Sequence, residues 1–530
     1  MAAHETELRK RPRVRKARGA YYTPRIISER LAADTIGAAV TAGEVAASEI
    51  TVLDPACGAG AMLVAAYEAI ASHRLGSLIA AGRTGELERT ANGFALPRSA
   101  RAEILASQIF GCDVDAGAVA AARRALAVAA FGERAAEAPD LGGHLRVANA
   151  VLDPLPASSF DVVIGNPPWG QKRIATTPEI KATIRARCPS ARGIFDWFRP
   201  FVELGIGLTR PGGWFGMVLP DIVLLKNYEA TRKVLLDELA LSRIAWLGRA
   251  FEDAAIDVVT IAGQRAAAPP GHRVQVFVTG DPPLSHAIEQ ATFRKNPRST
   301  LNLRMTSARR EIIDALASFP RLGQVCEIHE GVHSGNIRRE LFVDHLVDDS
   351  CRSLYLGRGE LSRFHLEWRG TYLRGSAIPA HKTRRRYAHV GPATWYERPK
   401  ILVRRTGDRL IAAVDTEARY ASNNFFVVFS RASDSPEGLD ALCAILNSVL
   451  ATWWFRVIEP RTGRPFAEVK VKHLAELPVL SASHPAFSQL ASLGARRRRM
   501  AVANGSLAAA LDEKIDRTVA EAFGVSSPLP

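Results

Sequence analysis

The chain has 530 residues, 47% hydrophobic and 23% charged, which makes room for two or three packed domains and excludes wholesale disorder. Lys and Arg outnumber Asp and Glu by 69 to 54, a formal net charge of +15, and the six cysteines are scattered, with no Cys-x-x-Cys pair for structural zinc and no disulfide framework. No run of 18 apolar residues occurs and the N-terminus lacks the apolar stretch of a signal peptide, so a cytoplasmic protein with no membrane association is expected.

Residues 1–18 form a basic arm, with seven Lys or Arg between Arg9 and Arg18. Beyond it, short apolar runs alternate with Ala-rich stretches. Strands are predicted at 51–55, 109–115, 145–149, 160–168 and 214–220, with helices at 61–73 and 116–131 between them. Strand, helix, strand at this spacing predicts an α/β, doubly wound Rossmann-like domain over 19–265. A late strand is expected at 256–264, and the punctuation AAAPPG at 266–271 marks a domain boundary. The remainder, 266–530, reads as a mixed α+β domain with a helical segment at 438–455 and a closing helix at 505–523.

The candidate chemistry lies at the ends of the predicted strands. Asp54-Pro55-Ala56-Cys57-Gly58-Ala59-Gly60 follows the first strand and opens a helix. Glycines there let the backbone turn tightly and approach a ligand, and the carboxylate can receive a cationic amino group. A generic nucleotide site and a plain turn are equally open at this point. The second strand ends in Asp113, suited to ribose hydroxyls, while Asp115 is placed for a helix N-cap. Asn149 ends the third strand and can hydrogen-bond an adenine edge or simply close a turn.

The sharpest signal is Asn166-Pro167-Pro168-Trp169 after an apolar run. Two prolines stiffen the backbone and remove two amide donors. Carbonyls then stand beside an amide side chain and a flat ring. Such a group can accept both hydrogens of an exocyclic amine, drawing its lone pair out of conjugation while the ring stacks on the base.

Charge is uneven. Residues 1–265 hold 32 basic and 28 acidic side chains, and residues 266–530 hold 37 and 26. The segment 351–400 has 11 basic and 3 acidic residues with Tyr355, Phe364, Trp368, Tyr372, Tyr387, Trp395 and Tyr396 interleaved. That mixture suits a phosphate backbone and unstacked bases. The run Arg496–Arg499 reads instead as a solvated helix face.

In order, these motifs resemble the gamma class of S-adenosylmethionine-dependent DNA adenine-N6 methyltransferases, the TaqI-like enzymes. Gly19-Ala20-Tyr21-Tyr22-Thr23-Pro24 resembles the first cofactor motif of that class. Asp196-Trp197-Phe198 and Pro211-Gly212-Gly213 resemble a later helix and turn, with Trp197 and Phe198 departing from the usual Asp-Leu-Tyr. The resemblance implies a class I methyltransferase domain binding S-adenosylmethionine through Tyr22, Thr23, Asp54, Ala56, Gly58, Gly60, Asp113, Val114, Asn149 and Asn166. It implies catalysis by Asn166, Pro167, Pro168 and Trp169 on a flipped adenine, with Phe251 as a second stacking ring and no metal. More loosely, Glu330–Gly335, Leu356–Gly359, Arg404–Gly407, Ile445–Ser448 and Leu477-Pro478 resemble a target-recognition domain. Double-stranded DNA is the implied partner, gripped by Arg358, Lys382, Arg384, Arg385, Arg386, Arg404 and Arg405.

A monomer is expected, serving as the modification component of a restriction–modification or phage-defence system, with a separate cognate endonuclease or defence protein left open as partner. Three other readings stay open: a combined restriction–modification enzyme, a methyltransferase for protein glutamine or RNA, and a DNA-binding protein with a decayed core. No Asp…Glu-x-Lys nuclease cluster is clearly placed. Cytosine-C5 chemistry needs a Pro-Cys nucleophile, and the only adjacent pair, Cys188-Pro189, is reversed.

Overall fold

The computed structural model describes residues 23–530 apart from 92, 154, 156, 171–176, 193–194, 226–227, 252–255, 281, 382, 384–385, 408, 433–434, 459–468, 501–504, 527–528 and 530. The basic arm and Gly19–Tyr22 therefore lie outside the described residues.

The chain divides into two compact units, Met1–Arg304 and Met305–Pro530. The first is built on a nine-stranded sheet. Its strands in chain order are β1 (Val52–Asp54), β2 (Ile109–Asp113), β3 (Leu145–Val147), β4 (Phe160–Gly165), β5 (Thr209–Pro220), β6 (Ala240–Gly248), β7 (Val258–Gln264), β8 (Arg273–Val278) and β9 (Leu284–Glu289). Across the sheet they run β3-β2-β1-β4-β5-β7-β6-β8-β9. Strands β3 to β5 are parallel, and β7 is antiparallel to both of its neighbours. Parallel strands need crossovers, and the helices α1 (Arg25–Ala32), α2 (Ala61–Ala80), α3 (Ala116–Phe131), α4 (Phe198–Leu208) and α5 (Glu229–Glu238) accompany the sheet. The sheet strands read as apolar runs because helices cover them: Val52, Val162, Val163, Ile164, Met217, Val259 and Ile261 are all buried. Asp115 caps α3, its Oδ1 accepting from Gly117 N at 2.9 Å.

The order of strands reverses between β1 and β4. At such a switch point the loops leaving two adjacent strands diverge and open a crevice. The predicted strands are present, most with trimmed ends, while the one expected at 214–220 begins earlier, at Thr209. The boundary expected after residue 265 is corrected: β8 and β9 continue the first sheet, β8 pairing parallel to β6, so residues 266–304 belong to the first unit. The punctuation at 266–271 is a surface turn, with His272 N bonded to Pro269 O.

The second unit centres on an antiparallel sheet of β10 (Cys326–Glu330), β11 (Lys400–Arg404), β12 (Ala412–Asp415) and β13 (Phe425–Ser430), ordered β10-β13-β11-β12. One core lies between this sheet and the helices α6 (Pro436–Asn447), α7 (Val449–Ile458), α8 (Pro485–Arg499) and α9 (Gly505–Ala522). A second core fills the other side, against a smaller sheet that includes Cys351–Tyr355 and Tyr372–Arg374. The helix expected over 438–455 is two, α6 and α7, bent by 57° at Ser448. Among the described residues no single helix is long and apolar enough to cross a membrane. Asn447 ties α6 to the sheet through both ends of its amide, at 3.0 Å to Ala412 N and 2.8 Å to Ala412 O.

Lys400 is 0% exposed, and its Nζ donates to Asp415 Oδ2 at 2.5 Å and Tyr396 O at 2.6 Å. Burial pulls the ammonium pKa down while Asp415 pushes it back up. Removing one member of such a pair strands the other charge. Lys400→Met is expected to destabilise the protein by about 3–5 kcal/mol in urea titrations monitored by circular dichroism, far beyond a surface Lys→Met control.

Candidate active site

The crevice at the β1/β4 switch point gathers the predicted residues of the first unit. Asp54, last in β1, is 1% exposed. Its Oδ1 accepts from Ala56 N at 2.9 Å, which folds the chain back after the strand. Its second oxygen has no protein donor among the described residues. Burial, with a smaller contribution from the Asp113 carboxylate, pushes the Asp54 pKa up to about 7 against the Ala56 hydrogen bond.

Asp113 braces the glycine turn from the neighbouring strand. Its Oδ2 accepts from Gly58 N at 3.0 Å and its Oδ1 from Asp115 N at 2.9 Å. Gly58 has φ of +51° and open space where a Cβ would stand, so the turn offers bare backbone to a ligand. Val114, beside the acid, is 69% exposed although apolar. A large aliphatic side chain left in water at the rim of a crevice suits a flat ring.

Asn149 lies at the next strand end, half-buried. Its Oδ1 accepts from Val151 N at 3.1 Å and Leu152 N at 3.3 Å. It closes a turn with its oxygen, and its NH2 is the end left to donate to a ring nitrogen.

The loop 166–169 leaves β4. Gly165 is where β4 passes the buried Asp54: a Cβ there would sit 2.9 Å from Asp54 Oδ1. Asn166 Nδ2 donates to Thr23 Oγ1 at 3.0 Å, joining the N-terminal motif to the loop. Asn166 Oδ1 is buried and has no hydrogen-bond partner among the described residues. A buried acceptor left unmade costs about 1–3 kcal/mol, so an empty position of this kind marks where a donor belongs. Pro167 is buried and Pro168 half-buried.

Trp169 and Phe251 are both brought to this place, but not as two walls of a slot. Their rings meet edge to face, centroids 5.5 Å apart and planes at 89°, and both are buried. A base between two parallel rings needs roughly 7 Å, twice the contact distance. The two rings form a closed aromatic pair, because apolar rings gain more by covering each other than by facing water.

Two residues given no role by sequence reasoning belong here. Gly170 N donates to Asp196 Oδ1 at 2.9 Å, and Asp196 is 2% exposed. Asp196 stands in a motif that the resemblance had picked out, yet nothing in its spacing announces a contact 26 residues back. Cys57 is buried, and its thiol pKa is pushed well up by burial and by Asp54 and Asp113, so it is not a thiolate nucleophile. Among the described residues no group of three or more His, Cys, Asp or Glu side chains is arranged to hold a metal ion.

The second unit tests the basic, aromatic segment. Tyr355, Phe364 and Tyr396 are core residues, and Tyr387 alone among the seven aromatics is exposed, at 40%. Trp395 stacks on His329, centroids 3.7 Å apart. Several of the cations are paired: Arg374 with Asp348 at 2.9 Å, Arg386 with Glu340 at 2.7 Å and Arg363 with Asp512 at 3.2 Å. Arg405 reaches Glu330 at 3.1 Å, and Arg404 is half-buried at the end of β11. Lys382, Arg384, Arg385 and the Arg358 side chain lie outside the described residues. Glu360 shapes the loop that carries Arg358, its Oε2 accepting from Leu356 N at 2.6 Å and Gly357 N at 2.8 Å. In the run expected to be a solvated face, Arg497 pairs with Asp512 and Arg498 with Asp440, at 2.9 and 2.8 Å, joining helices.

A family model described as N-6 DNA Methylase matches residues 2–265, and one described as TaqI-like C-terminal specificity domain matches residues 352–479. The chain is 23% identical over 222 residues to Type II restriction enzyme and methyltransferase RM.Eco57I of Escherichia coli, covering 37% of this chain and 22% of that one. It is 25% identical over 162 residues to Type II methyltransferase M.VspI of Vibrio sp. (strain 343), covering 30% of this chain and 38% of that one. It thus spans only 22% and 38% of the length of these curated relatives. Among solved structures, the Type IIL restriction-modification enzyme MmeI in complex with DNA is similar with a TM-score of 0.62 at 12% identity, over 98% of this chain and 78% of that one. The DrdV–DNA complex is similar with a TM-score of 0.56 at 10% identity, over 92% and 57%. At these identities the likeness is one of fold.

The contact between Gly165 and Asp54 makes a direct prediction. Gly165→Ala forces a methyl group against a buried carboxylate and is expected to lower stability by about 1–3 kcal/mol. Thermal melts should show the drop in Gly165→Ala, and Asp54→Gly should relieve it in the double variant.

Proposed function

Because the chain belongs to the N-6 DNA methylase family and carries a TaqI-like C-terminal specificity domain, we propose that it is a site-specific DNA methyltransferase. It transfers a methyl group from S-adenosylmethionine to the N6 amine of an adenine flipped out of double-stranded DNA. The observation that carries this reading is the buried Asn166 Oδ1 without a donor, at the head of two prolines that have no N–H to offer it.

The residues present fit the cofactor. The bare backbone of Gly58 suits its close approach, whereas Gly60 is buried and turned against Ala122 of α3, where a Cβ would sit 3.0 Å from that residue; Asp113 has lone pairs left for ribose hydroxyls, and Asn149 NH2 can donate to adenine N1. Val114 would lie on the adenine face, and Asp54 would receive the ammonium. S-adenosylmethionine supplies a methyl group on a sulfonium, which leaves without acid assistance.

The work of the protein is therefore orientation and electrostatics. Asn166 Oδ1 and the Pro167 carbonyl accept the two amine hydrogens of the target adenine. This turns the nitrogen lone pair out of the ring plane, and the same oxygens stabilise the positive charge that grows on nitrogen. A duplex buries the amine in its stack, so the base must be extruded, at a cost of a few kcal/mol. Trp169 then covers one face of the extruded ring. The second unit holds the DNA, with Arg386 and Tyr387 at an exposed position among the candidates. The setting is modification within a restriction–modification or defence system. A nuclease joined to the same activity is the second reading, favoured by the combined name of the RM.Eco57I relative. Site-specific cleavage of plasmid DNA in magnesium, lost on mutation, would decide for it.

Asn166→Ala is expected to abolish tritium transfer from labelled S-adenosylmethionine to DNA while calorimetry finds cofactor affinity largely kept. Near wild-type turnover in that variant would sink the mechanism. A second expectation concerns pH. Burial keeps Asp54 protonated below about 7, and a neutral carboxyl cannot attract an ammonium. Cofactor affinity should therefore weaken as pH falls from 8 to 6, by up to about tenfold per pH unit below 7. Asp54→Asn should flatten that profile; a flat profile in the wild type would remove Asp54 from the ammonium.

A further inference from the structure

The loop that carries Asn166 has few ways to hold itself in place. Residues 166–170 belong to no helix or strand, and two of the five are prolines without an N–H. The first backbone donor past Trp169 is Gly170 N, and it goes to Asp196 Oδ1 at 2.9 Å. Gly170 has φ of +118°, a conformation that other residues rarely adopt, so the chain turns sharply at the bond.

Asp196 is buried, and its carboxylate also meets the backbone N–H groups of Trp197 and Phe198 and the hydroxyl of Tyr228. Tyr228 is buried in turn, its ring edge-on to Phe198 with centroids 5.2 Å apart. The Arg199 guanidinium lies 5.5 Å from the centre of the Tyr228 ring. Arg199 is itself buried and fixed, donating to Thr231 Oγ1 at 3.0 Å and to the carbonyls of Arg192, at 2.9 Å, and Ser190. A buried carboxylate is expensive where packing alone is needed, and an apolar residue would serve that purpose better. What only the carboxylate provides is a set of acceptors for several donors converging on one point.

We propose that Asp196 is a positioning residue for methyl transfer. It clamps Gly170 N and so sets Trp169 and the acceptors of Asn166 and Pro167 against the incoming base, with Tyr228 holding the carboxylate in its own place. The proposal rests on the methyltransferase reading above. It gives Asp196 no contact with cofactor or base. Its loss should therefore change how well a bound base is presented, not how well the cofactor binds.

The test uses the full chain with Asp196→Ala, Asp196→Asn and Tyr228→Phe. Turnover is measured with unmethylated duplex DNA and tritiated S-adenosylmethionine, and cofactor affinity by calorimetry. Deuterium exchange of the peptide spanning 166–170 is followed without any substrate. Asp196→Ala should lower kcat by about a hundredfold, the cost of a misplacement of order 1 Å, with cofactor affinity unchanged and faster exchange in that peptide. Asp196→Asn keeps an acceptor oxygen and should recover most of both losses. Tyr228→Phe should reproduce a milder version, and it decides the matter if Asp196→Ala does not fold. A folded Asp196→Ala with wild-type kcat overturns the proposal. So does loss of cofactor affinity in step with kcat and without rescue by Asn, the mark of a merely structural residue. Should the wild type transfer no methyl group to DNA, the function proposed above fails, and exchange at 166–170 still decides the clamp: unchanged exchange in Asp196→Ala overturns it.

Discussion

Asp54 is a carboxylate with almost no access to water, wedged against the one residue of the neighbouring strand that has no side chain to push it away. Much of the crevice depends on that contact. β1 and β4 are adjacent in the sheet although more than a hundred residues apart in sequence, so the glycine turn after one strand and the Asn-Pro-Pro loop after the other start from fixed, neighbouring points. Asp113 then braces the turn through Gly58 N, Thr23 reaches Asn166, and Asp196 holds Gly170. Three short bonds from three different elements converge on two loops. The turn after β1 and the loop after β4 are in this way registered to the sheet, and each is held in shape by a bond from another element.

The same economy governs charge. An excess of 15 cations would suggest a surface given over to phosphate, yet many of the basic residues in the second unit are spent inside the protein. Lys400 is sealed with Asp415, and Arg497 and Arg498 bind helices together. In the first unit Arg199 and Arg232 are buried and tie loops through backbone carbonyls. Net charge still sets the long-range field that draws a polyanion. It does not reveal which cations touch it, because guanidinium groups are also the best buried donors a fold can use.

This distinction explains what was legible in the sequence. Patterns with a local cause could be read: apolar runs that become covered strands, Asp115 capping its helix, the glycine turn and the Asn-Pro-Pro loop at strand ends. Patterns whose cause is a distant partner could not. The strand hairpin at 273–289 looks like the start of a new domain because its parallel pairing with β6 is invisible along the chain. The aromatics at 351–400 have the composition of a base-stacking platform, but alternation on strands and turns sends Tyr355, Phe364 and Tyr396 inward. Trp169 and Phe251 were rightly brought to one place, and their edge-on contact follows from burial that spacing does not encode.

That contact has an energetic consequence for whatever enters the crevice. An edge-on aromatic pair is worth about 0.5–1.5 kcal/mol beyond its buried area, whereas a base stacked on a ring gains roughly 1–3 kcal/mol. Under the proposed function an entering base would exchange one aromatic partner of Trp169 for another, with a small net gain that grows with the area of its own ring system. A purine wins that exchange by more than a pyrimidine before any hydrogen bond is formed. The resting pair is, under the proposed function, a threshold, crossed by a guest flat and broad enough to take the place of Phe251 against Trp169.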